Sequence, residues 1–345
     1  MTRKLASAFL AIGFVALGCN RARSQMLING AGSTFGYPIY SKWFDAYARV
    51  DPSVRFNYQS IGSGGGINLL INRMVDMGAS DAPLNDEQIK RAPGAILEFP
   101  SVMGAVVLTY NLPAVKQALR LTGPLIANIY LGKVTKWNDP AIVALNPGVS
   151  LPDTQIVSCH RSDGSGTTYI FTDYLSKISP DWQKGPGKST SVKWPDGLGG
   201  KGSEGVTALV QQTPGSITYV ELTYALANKL QVAEIQNRDG KWVKPTLEGV
   251  TAAAAEAAAN MPADFRVSIT NAPGADSYPL SSFTWLLVYA KQSDHDRGVA
   301  LVKFLDWALH DGQKYAPPLY YAPLPAQLVR LEEKQLKQIE VAPKA

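Results

Sequence analysis

Three segments of the chain repeat one pattern: a short strand, a turn rich in glycine and hydroxyl residues, and an amphipathic helix. The strands are predicted at residues 26–30, 54–60 and 156–159, and the helices at residues 37–49, 67–74 and 168–178. Apolar runs that alternate with helical patterns in this way favour an α/β fold with mainly parallel sheets. The repeat therefore predicts three strand-to-helix turns that share one chemistry.

The three turns are suited to binding an anion. A helix N-terminus presents unpaired backbone N–H groups and the positive end of the helix dipole, so it attracts anions without a lysine. Thr34, Ser63 and Ser165 add one hydroxyl to each turn. Each of them taken alone is equally well explained as a cap of its helix. Three turns that met in space would bind a small tetrahedral oxyanion through neutral donors, although the sequence does not show that they meet.

Two charged residues would add selectivity to such a site. Asp81 follows an apolar stretch. Because a carboxylate accepts hydrogen bonds, it favours an anion that still carries a proton, such as phosphate, over sulfate. Arg161 supplies a guanidinium fork that fits a tetrahedral oxyanion, and Asp163 would orient that fork. The alternatives are a helix cap or a surface turn for Asp81 and a surface salt bridge for Arg161.

The first 24 residues have the features of an export leader. Two basic residues precede an apolar stretch at residues 5–17, which is too short to span a bilayer. Residues 16–19 are similar to a lipobox that ends at Cys19, whereas residues 22–24 fit a signal peptidase site. Both alternatives predict a periplasmic or otherwise extracytoplasmic protein, either soluble or tethered to the membrane through lipidated Cys19.

Charge and cysteine usage exclude several classes of protein. The leader carries four of the basic residues behind the formal charge of +5, so the rest of the chain is nearly neutral. It has no basic run that could follow a phosphodiester backbone, and nucleic-acid binding is not predicted. Once Cys19 is removed or acylated, Cys159 remains alone and no disulfide can form within one mature chain. One cysteine and three scattered histidines also give no metal site.

Enzyme motifs are weak in this sequence. Residues 197–202 match G-x-G-x-x-G, but Pro195 and Asp196 stand where a dinucleotide site needs an apolar strand. Residues 164–166 fall short of a nucleophile elbow, and no P-loop sequence occurs. A secreted phosphatase would need a nucleophile or a metal cluster that the sequence does not provide. No enzyme activity and no cofactor are therefore predicted.

Other segments predict the scaffold around the turns. Residues 100–111 and 283–290 are long apolar runs suited to buried strands that cross between lobes. Residues 185–205, rich in glycine, lysine and serine, are predicted as an ordered surface loop. Residues 251–260 are rich in alanine, which favours a helix.

Several longer strings resemble one family. They are GAGSTF at residues 30–35, VDMGASDAPL at 75–84, YLGKVTKWND at 130–139, RSDGSGT at 161–167, and KWP with a glycine-rich loop at 193–202. As a set they resemble the PstS-type phosphate-binding receptors of bacterial high-affinity phosphate ABC transporters. The likeness covers nearly all of the chain after the leader.

The resemblance implies a fold, a domain division and partners. The fold is α/β, a two-lobed periplasmic binding protein of a type II-like kind, with two crossing strands and a hinge that closes on phosphate. Residues 25–110 together with 280–345 would form lobe I, and residues 111–279 would form lobe II, after a signal peptide at residues 1–24. The implied partners are inorganic phosphate and the membrane permease and ATPase subunits of a phosphate ABC transporter, with the chain itself a monomer.

The resemblance also implies a role for each site residue. Asp81 would accept the phosphate proton, Phe35 would donate through its backbone N–H, and Asp163 would hold the Arg161 side chain. The implied phosphate-binding residues are Thr34, Phe35, Ser63, Asp81, Arg161, Ser165, Gly166 and Thr167. Among binding proteins, the alternative is a receptor for sulfate, molybdate or a phosphate ester, and Asp81 argues against the first two.

Overall fold

The computed structural model describes residues 25–344 of the chain, so the predicted leader and Cys19 lie outside the described residues. The strands, in chain order, are β1 (Met26–Gly32), β2 (Val54–Ser60), β3 (Met77–Ser80), β4 (Ile96–Tyr110), β5 (Arg120–Leu121), β6 (Val157–Arg161), β7 (Leu198–Gly200), β8 (Ser216–Glu221), β9 (Gln231–Val232), β10 (Glu234–Gln236), β11 (Trp242–Val243), β12 (Ser281–Tyr289), β13 (Lys291–Gln292) and β14 (Glu340–Val341).

The helices alternate with these strands. In chain order they are α1 (Tyr37–Val50), α2 (Ser63–Ile71), α3 (Asp86–Arg91), α4 (Gly123–Tyr130), α5 (Pro140–Val143), α6 (Gly166–Ile178), α7 (Pro180–Lys184), α8 (Gly202–Gln212), α9 (Leu222–Ala227), α10 (Leu247–Ala259), α11 (His295–Leu309) and α12 (Ala326–Leu336). Two short 3₁₀ helices, Asp311–Tyr315 and Pro317–Leu319, separate α11 from α12. The alanine-rich stretch predicted as a helix lies in α10.

Within residues 25–344, nine strands form the main sheet in the order β2-β1-β3-β12-β4-β8-β6-β7, with β9 beside β4. β1 runs parallel to β2 and β3, and β6 runs parallel to β7 and β8. β12 runs antiparallel to β3 and β4, and β4 also runs antiparallel to β8 and β9. The expectation of a mainly parallel sheet is therefore wrong at the centre, because β4 and β12 lie side by side there and run in opposite directions.

The longest strand, β4, belongs to both sides of this sheet. Residues 96–105 pair with β12, whereas residues 106–110 pair with β8. We call β1, β2, β3 and β12 the first half and β6, β7 and β8 the second half. From its third residue onward β4 is buried throughout, which explains why its sequence gives a continuous apolar run. The division into lobes at residues 110 and 280 stays a prediction.

Two helices begin earlier than predicted, and their packing explains the difference. α2 begins at Ser63 rather than at residue 67, and α6 begins at Gly166 rather than at residue 168. Glycine has a low helix propensity, so the sequence favoured a turn at residues 64–66. In the structure, a Cβ atom on Gly66 would lie 2.4 Å from the carbonyl oxygen of Ala31. Close packing of α2 against β1 therefore requires glycine inside the helix.

The segment at residues 185–205 is more than the surface loop that was predicted. It contains β7 and the first residues of α8. Its tryptophan, Trp194, packs against Tyr219 and Phe171, with ring centroids 5.7 and 6.5 Å away, and it stacks on His160 at 4.8 Å. This aromatic cluster anchors the segment to the second half of the sheet, a contact that its polar composition does not suggest.

Candidate functional site

The second and third turns meet between the two halves. The Ser63 hydroxyl oxygen accepts a hydrogen bond from the Gly166 backbone N–H at 3.1 Å. The Gly64 N–H donates to the Gly164 carbonyl oxygen at 2.8 Å. Ser63 and Gly166 are the first residues of α2 and α6, so two helix N-termini begin at one place.

Asp81 lies beside these helix starts, directly after β3, with 1% of its surface exposed. Its carboxylate accepts hydrogen bonds from the hydroxyls of Ser33, of Ser63 at 3.3 Å and of Thr284 at 2.7 Å. Burial raises the pKa of Asp81 to about 6, although these donors and the charge of Arg161 act in the opposite direction. Because Ser33 belongs to the first turn, the structure brings all three turns to one carboxylate.

Arg161, the last residue of β6, brings a positive charge to the site. Its Nε donates to Oδ1 of Asp163 at 2.7 Å, and its Nη2 donates to Oδ2 at 2.5 Å. Burial alone would raise the pKa of Asp163. The hydrogen bonds from Arg161 and from the Gly202 N–H outweigh this effect, so the pKa of Asp163 lies below its ordinary value. The Arg161 Nη1 lies 3.5 Å from the Thr167 hydroxyl. Asp163 therefore fixes the guanidinium against the start of α6.

Ser165, Gly166 and Thr167 form the start of α6. The Ser165 side-chain oxygen accepts a hydrogen bond from the Thr168 N–H at 3.0 Å, so Ser165 is the N-cap of this helix. The capping explanation considered for Ser165 is therefore correct. It does not exclude a second role, because the hydroxyl hydrogen of a capping serine remains a donor.

Tyrosine hydroxyls fix the first turn. Three consecutive carbonyl oxygens of this turn each accept one hydrogen bond from a tyrosine hydroxyl. Tyr58 donates to Ser33 at 2.9 Å, Tyr224 to Thr34 at 2.8 Å, and Tyr321 to Phe35 at 2.5 Å. The Thr34 hydroxyl also bonds the Ser203 hydroxyl at 2.8 Å. The Phe35 ring is fully buried in the core. The Ser33 N–H donates to the Ala79 carbonyl oxygen and the Gly36 N–H to the Ser33 hydroxyl, so the N–H groups that this turn can offer an anion are those of Thr34 and Phe35.

The charges of the site favour a particular kind of anion. Asp163 neutralises Arg161, and the carboxylate of Asp81 adds a negative charge. A fully ionised anion would be repelled by Asp81, whereas a protonated anion could donate a hydrogen bond to it. Thr34, Ser63 and Arg161 are each at most 4% exposed, and such a water-poor setting strengthens every one of these interactions.

Sequence reasoning missed two residues that hold Asp81. Ser33 lies in the same turn as the predicted donors, and that position was a usable signal. Thr284 lies in the apolar run of β12, where one threonine gives no signal. The pairing of β12 with β3 sets Trp285 opposite Ser80, which brings Thr284 next to Asp81.

Among residues 25–344, no group of three or more histidine, cysteine or acidic side chains is placed to hold a metal ion. Across the same part of the chain, no helix combines the length and apolar character that a membrane span requires. Cys159 is buried with a free thiol, and burial raises the pKa of that thiol to about 11.

Comparison with known proteins defines the class and then the family. Residues 20–311 match a family model described as a PBP superfamily domain. The structure of a high-affinity periplasmic phosphate-binding protein, PfluDING, bound with phosphate, shares the fold with a TM-score of 0.73 at 21% identity, over 90% of this chain and 93% of that chain.

Curated relatives are closer in sequence. The phosphate-binding protein PstS of Xylella fastidiosa is 47% identical over 304 residues, which cover 88% of this chain and 83% of the relative. PstS of Haemophilus influenzae is 44% identical over 311 residues, which cover 90% and 92%. The chain belongs to the PstS family of phosphate-binding proteins, and the resemblance seen in its sequence strings is confirmed. The two-lobed α/β fold predicted from that resemblance is confirmed as well.

Proposed function

We propose that this protein binds inorganic phosphate in the periplasm and delivers it to an ABC importer. The observation that supports this most is the meeting of Ser33, Ser63 and Thr284 at the buried Asp81, beside two helix N-termini and Arg161. The relatives that carry the name phosphate-binding protein PstS support the same function.

The proposed ligand contacts come from both halves of the molecule. The first half supplies Thr34, Phe35, Ser63 and Asp81, and the second half supplies Arg161, Ser165, Gly166 and Thr167. Phe35 acts through its backbone N–H because its ring is buried in the core. Asp163 does not touch the anion in this proposal. It holds the Arg161 fork in place through two hydrogen bonds.

Selectivity follows from Asp81. Phosphate keeps a proton near neutral pH and can donate it to the Asp81 carboxylate, whereas sulfate and molybdate have no proton to donate. A site built around one such buried donor–acceptor match can discriminate by a factor of about 10⁴. A receptor for sulfate or molybdate is therefore the weaker alternative.

Binding and closure are coupled. The anion contacts both halves, so it stabilises the arrangement in which they meet, and the closed population rises with phosphate occupancy. A membrane permease with its ATPase subunits would recognise that closed form. The receptor acts as a monomer, and it is either soluble in the periplasm or tethered through lipidated Cys19.

Titration calorimetry tests the proposal. The chain without residues 1–24, stripped of bound ligand, is titrated at pH 7 with phosphate and then with sulfate. We expect one phosphate per chain and no heat from sulfate. Absence of binding by both anions would refute the proposal, and binding of sulfate alone would favour the sulfate receptor.

Thermal unfolding gives an independent prediction. A ligand at about 1,000 times its Kd stabilises the folded state by about 4 kcal/mol if it binds that state alone. We therefore expect phosphate, but not sulfate at equal ionic strength, to raise the melting temperature by several degrees. Equal shifts with the two salts would indicate a general salt effect and contradict specific binding.

The glycine at the start of α6 gives a third prediction. A Cβ atom on Gly166 would lie 2.5 Å from the Ser63 Oγ and 2.6 Å from Asp81 Oδ2. We expect Gly166→Ala to weaken phosphate binding by roughly tenfold, because the two halves can no longer approach as closely. Gly94→Ala is the control, since its Cβ atom would meet nothing nearer than 3.4 Å. Equal affinities of the two variants would show that close approach at Gly166 is not needed.

No catalytic step is part of this function. A receptor must release its cargo unchanged, and the site gains nothing from a covalent intermediate. The alternative from another class is a secreted phosphatase. Steady turnover of a chromogenic phosphate ester by the purified chain, abolished by Arg161→Ala, would favour that alternative.

A further inference from the structure

A chain of buried hydroxyls leads away from Asp81 on the side opposite the anion site. Thr284 Oγ1 lies 2.7 Å from Asp81 Oδ1, and Tyr40 lies 2.9 Å from Thr284. The Ser101 hydroxyl lies 2.9 Å from that of Tyr40 and 2.8 Å from the Thr284 carbonyl oxygen, where the chain ends. The Tyr40 and Thr284 side chains are fully buried, and Ser101 is 3% exposed.

The two oxygens of Asp81 therefore face different surroundings. Oδ1 contacts the hydroxyls of Ser33 and Thr284. Oδ2 contacts the Ser63 hydroxyl, and a Cβ atom on Gly166 would lie 2.6 Å from it. Ser63 and Gly166 are proposed anion donors, and in that role they exchange their contacts with Asp81 and with each other for contacts with the anion. Oδ1 thus faces the hydroxyl chain, and Oδ2 faces the anion.

The chain of hydroxyls has a different number of hydrogens available in the two protonation states of Asp81. It makes four contacts, from Asp81 through Thr284, Tyr40 and Ser101 to the Thr284 carbonyl. When Asp81 is ionised, the three hydroxyls supply three hydrogens, so one contact lacks a donor. When Asp81 is protonated on Oδ1, each group donates to the next and the terminal carbonyl accepts, so all four contacts are satisfied. The chain accommodates a proton on Oδ1 particularly well.

We propose that Thr284, backed by Tyr40 and Ser101, is a positioning residue that keeps the Asp81 proton on Oδ1, so that Oδ2 faces the anion as an acceptor in both protonation states. This inference rests on the proposed phosphate site. It adds that selectivity against sulfate survives neutralisation of Asp81, because a carboxyl protonated on Oδ1 still offers the anion no hydrogen.

The other charged and titratable groups around Asp81 do not supply this proton. Arg161 faces it from β6, and its positive charge lowers the pKa of Asp81. Tyr40 on α1, Tyr58 on β2 and Tyr321 after the second 3₁₀ helix also face it, and burial raises the pKa of each. These tyrosines stay neutral, so the proton comes from solvent while the two halves are apart.

The test compares sulfate binding at pH 7.5 and pH 5, because sulfate itself does not titrate in this range. Burial raises the pKa of Asp81 to about 6, so the carboxyl takes up its proton between these two conditions. In the unmodified chain we expect sulfate affinity to rise by no more than about tenfold, because neutralising Asp81 removes its repulsion of sulfate but supplies no hydrogen to the anion. In Thr284→Val a proton on Oδ1 loses the Thr284 oxygen and keeps only the Ser33 oxygen, which already accepts from the Gly36 N–H. The proton therefore moves to Oδ2, and we expect sulfate affinity at pH 5 to rise by about a further tenfold or more over the unmodified chain.

Two further variants keep this test decisive. Thr284→Ser retains the hydroxyl and should follow the unmodified chain. Tyr40→Phe removes the nearer acceptor of the Thr284 hydroxyl and leaves the Ser80 carbonyl oxygen at 3.4 Å. It should therefore shift sulfate binding in the same direction as Thr284→Val, by a smaller factor, and it replaces Thr284→Val if that variant does not fold. Melting temperatures measured at pH 7.5 identify any variant that is unfolded.

The outcomes separate this inference from the proposed function. Suppose that phosphate binds tightly at pH 7.5 and that sulfate affinity changes by the same factor between pH 7.5 and pH 5 in the unmodified chain and in Thr284→Val. That result would overturn the inference alone. A Thr284→Ser profile that follows Thr284→Val would also overturn it. Failure of the unmodified chain to bind phosphate would overturn the proposed function and the inference with it.

Discussion

Arg161→Ala is expected to weaken phosphate binding by about 100- to 1,000-fold. The Arg161 side chain is 1% exposed and is held by Asp163 through two hydrogen bonds. Its removal leaves the carboxylates of Asp163 and Asp81 in a buried site without a compensating cation. The loss therefore includes both the missing donor and the repulsion that these two carboxylates exert on the anion. Calorimetry at pH 7.5 gives the two affinities directly.

Arg49→Ala is the matched control for this variant. Arg49 also pairs with an aspartate, Asp45, but its side chain is 76% exposed. Such surface pairs contribute little, so phosphate affinity should be unchanged within about twofold. A loss of less than about tenfold in Arg161→Ala, with a normal melting temperature, would contradict the role assigned to Arg161.

Asp81→Asn is expected to admit sulfate, with an affinity gain of about 100-fold at pH 7.5. Ser33 and Thr284 donate to Oδ1, so the carbonyl oxygen of the new amide should take that position. The amide nitrogen then takes the position of Oδ2, beside Ser63 and the start of α6. A donor replaces an acceptor toward the anion, and one negative charge is removed. Both changes favour an anion without a proton.

Asp45→Asn serves as the control for this change, because the Asp45 side chain lies on α1 and is 60% exposed. Calorimetry with phosphate and sulfate at constant ionic strength measures the preference of each variant. An Asp81→Asn variant that kept the full preference for phosphate would show that selectivity arises elsewhere, for example from the neutral donors of the turns.

The strand-to-helix turns were predictable because their signals are local. Glycine next to serine or threonine, between an apolar run and an amphipathic helix, marks a turn wherever it occurs. Ser63, Ser165 and Arg161 could therefore be named from the sequence. That they meet depends on contacts such as Gly64 to Gly164, which join residues far apart in the chain and leave no mark on either segment.

The surroundings of Asp81 were not predictable for the same reason. Its neighbour Thr284 comes from β12, and the register that sets Trp285 opposite Ser80 is a property of the assembled sheet. The antiparallel neighbours of β12 on both sides gave no signal either, because an apolar run buried on both faces looks the same in parallel and antiparallel strands. The resemblance to relatives identified the family, but the positions of Ser33 and Thr284 required the structure.

The strand β4 has a consequence for how the molecule could be divided. Residues 96–105 satisfy the backbone of β12, and residues 106–110 satisfy that of β8. A fragment that lacks residues 96–105, or one that lacks residues 106–110, would leave β12 or β8 as an open sheet edge with unpaired N–H and C=O groups, which is a template for aggregation. An isolated half would therefore be expected to stay soluble only if it carries its own segment of β4, and to associate with other chains if it does not.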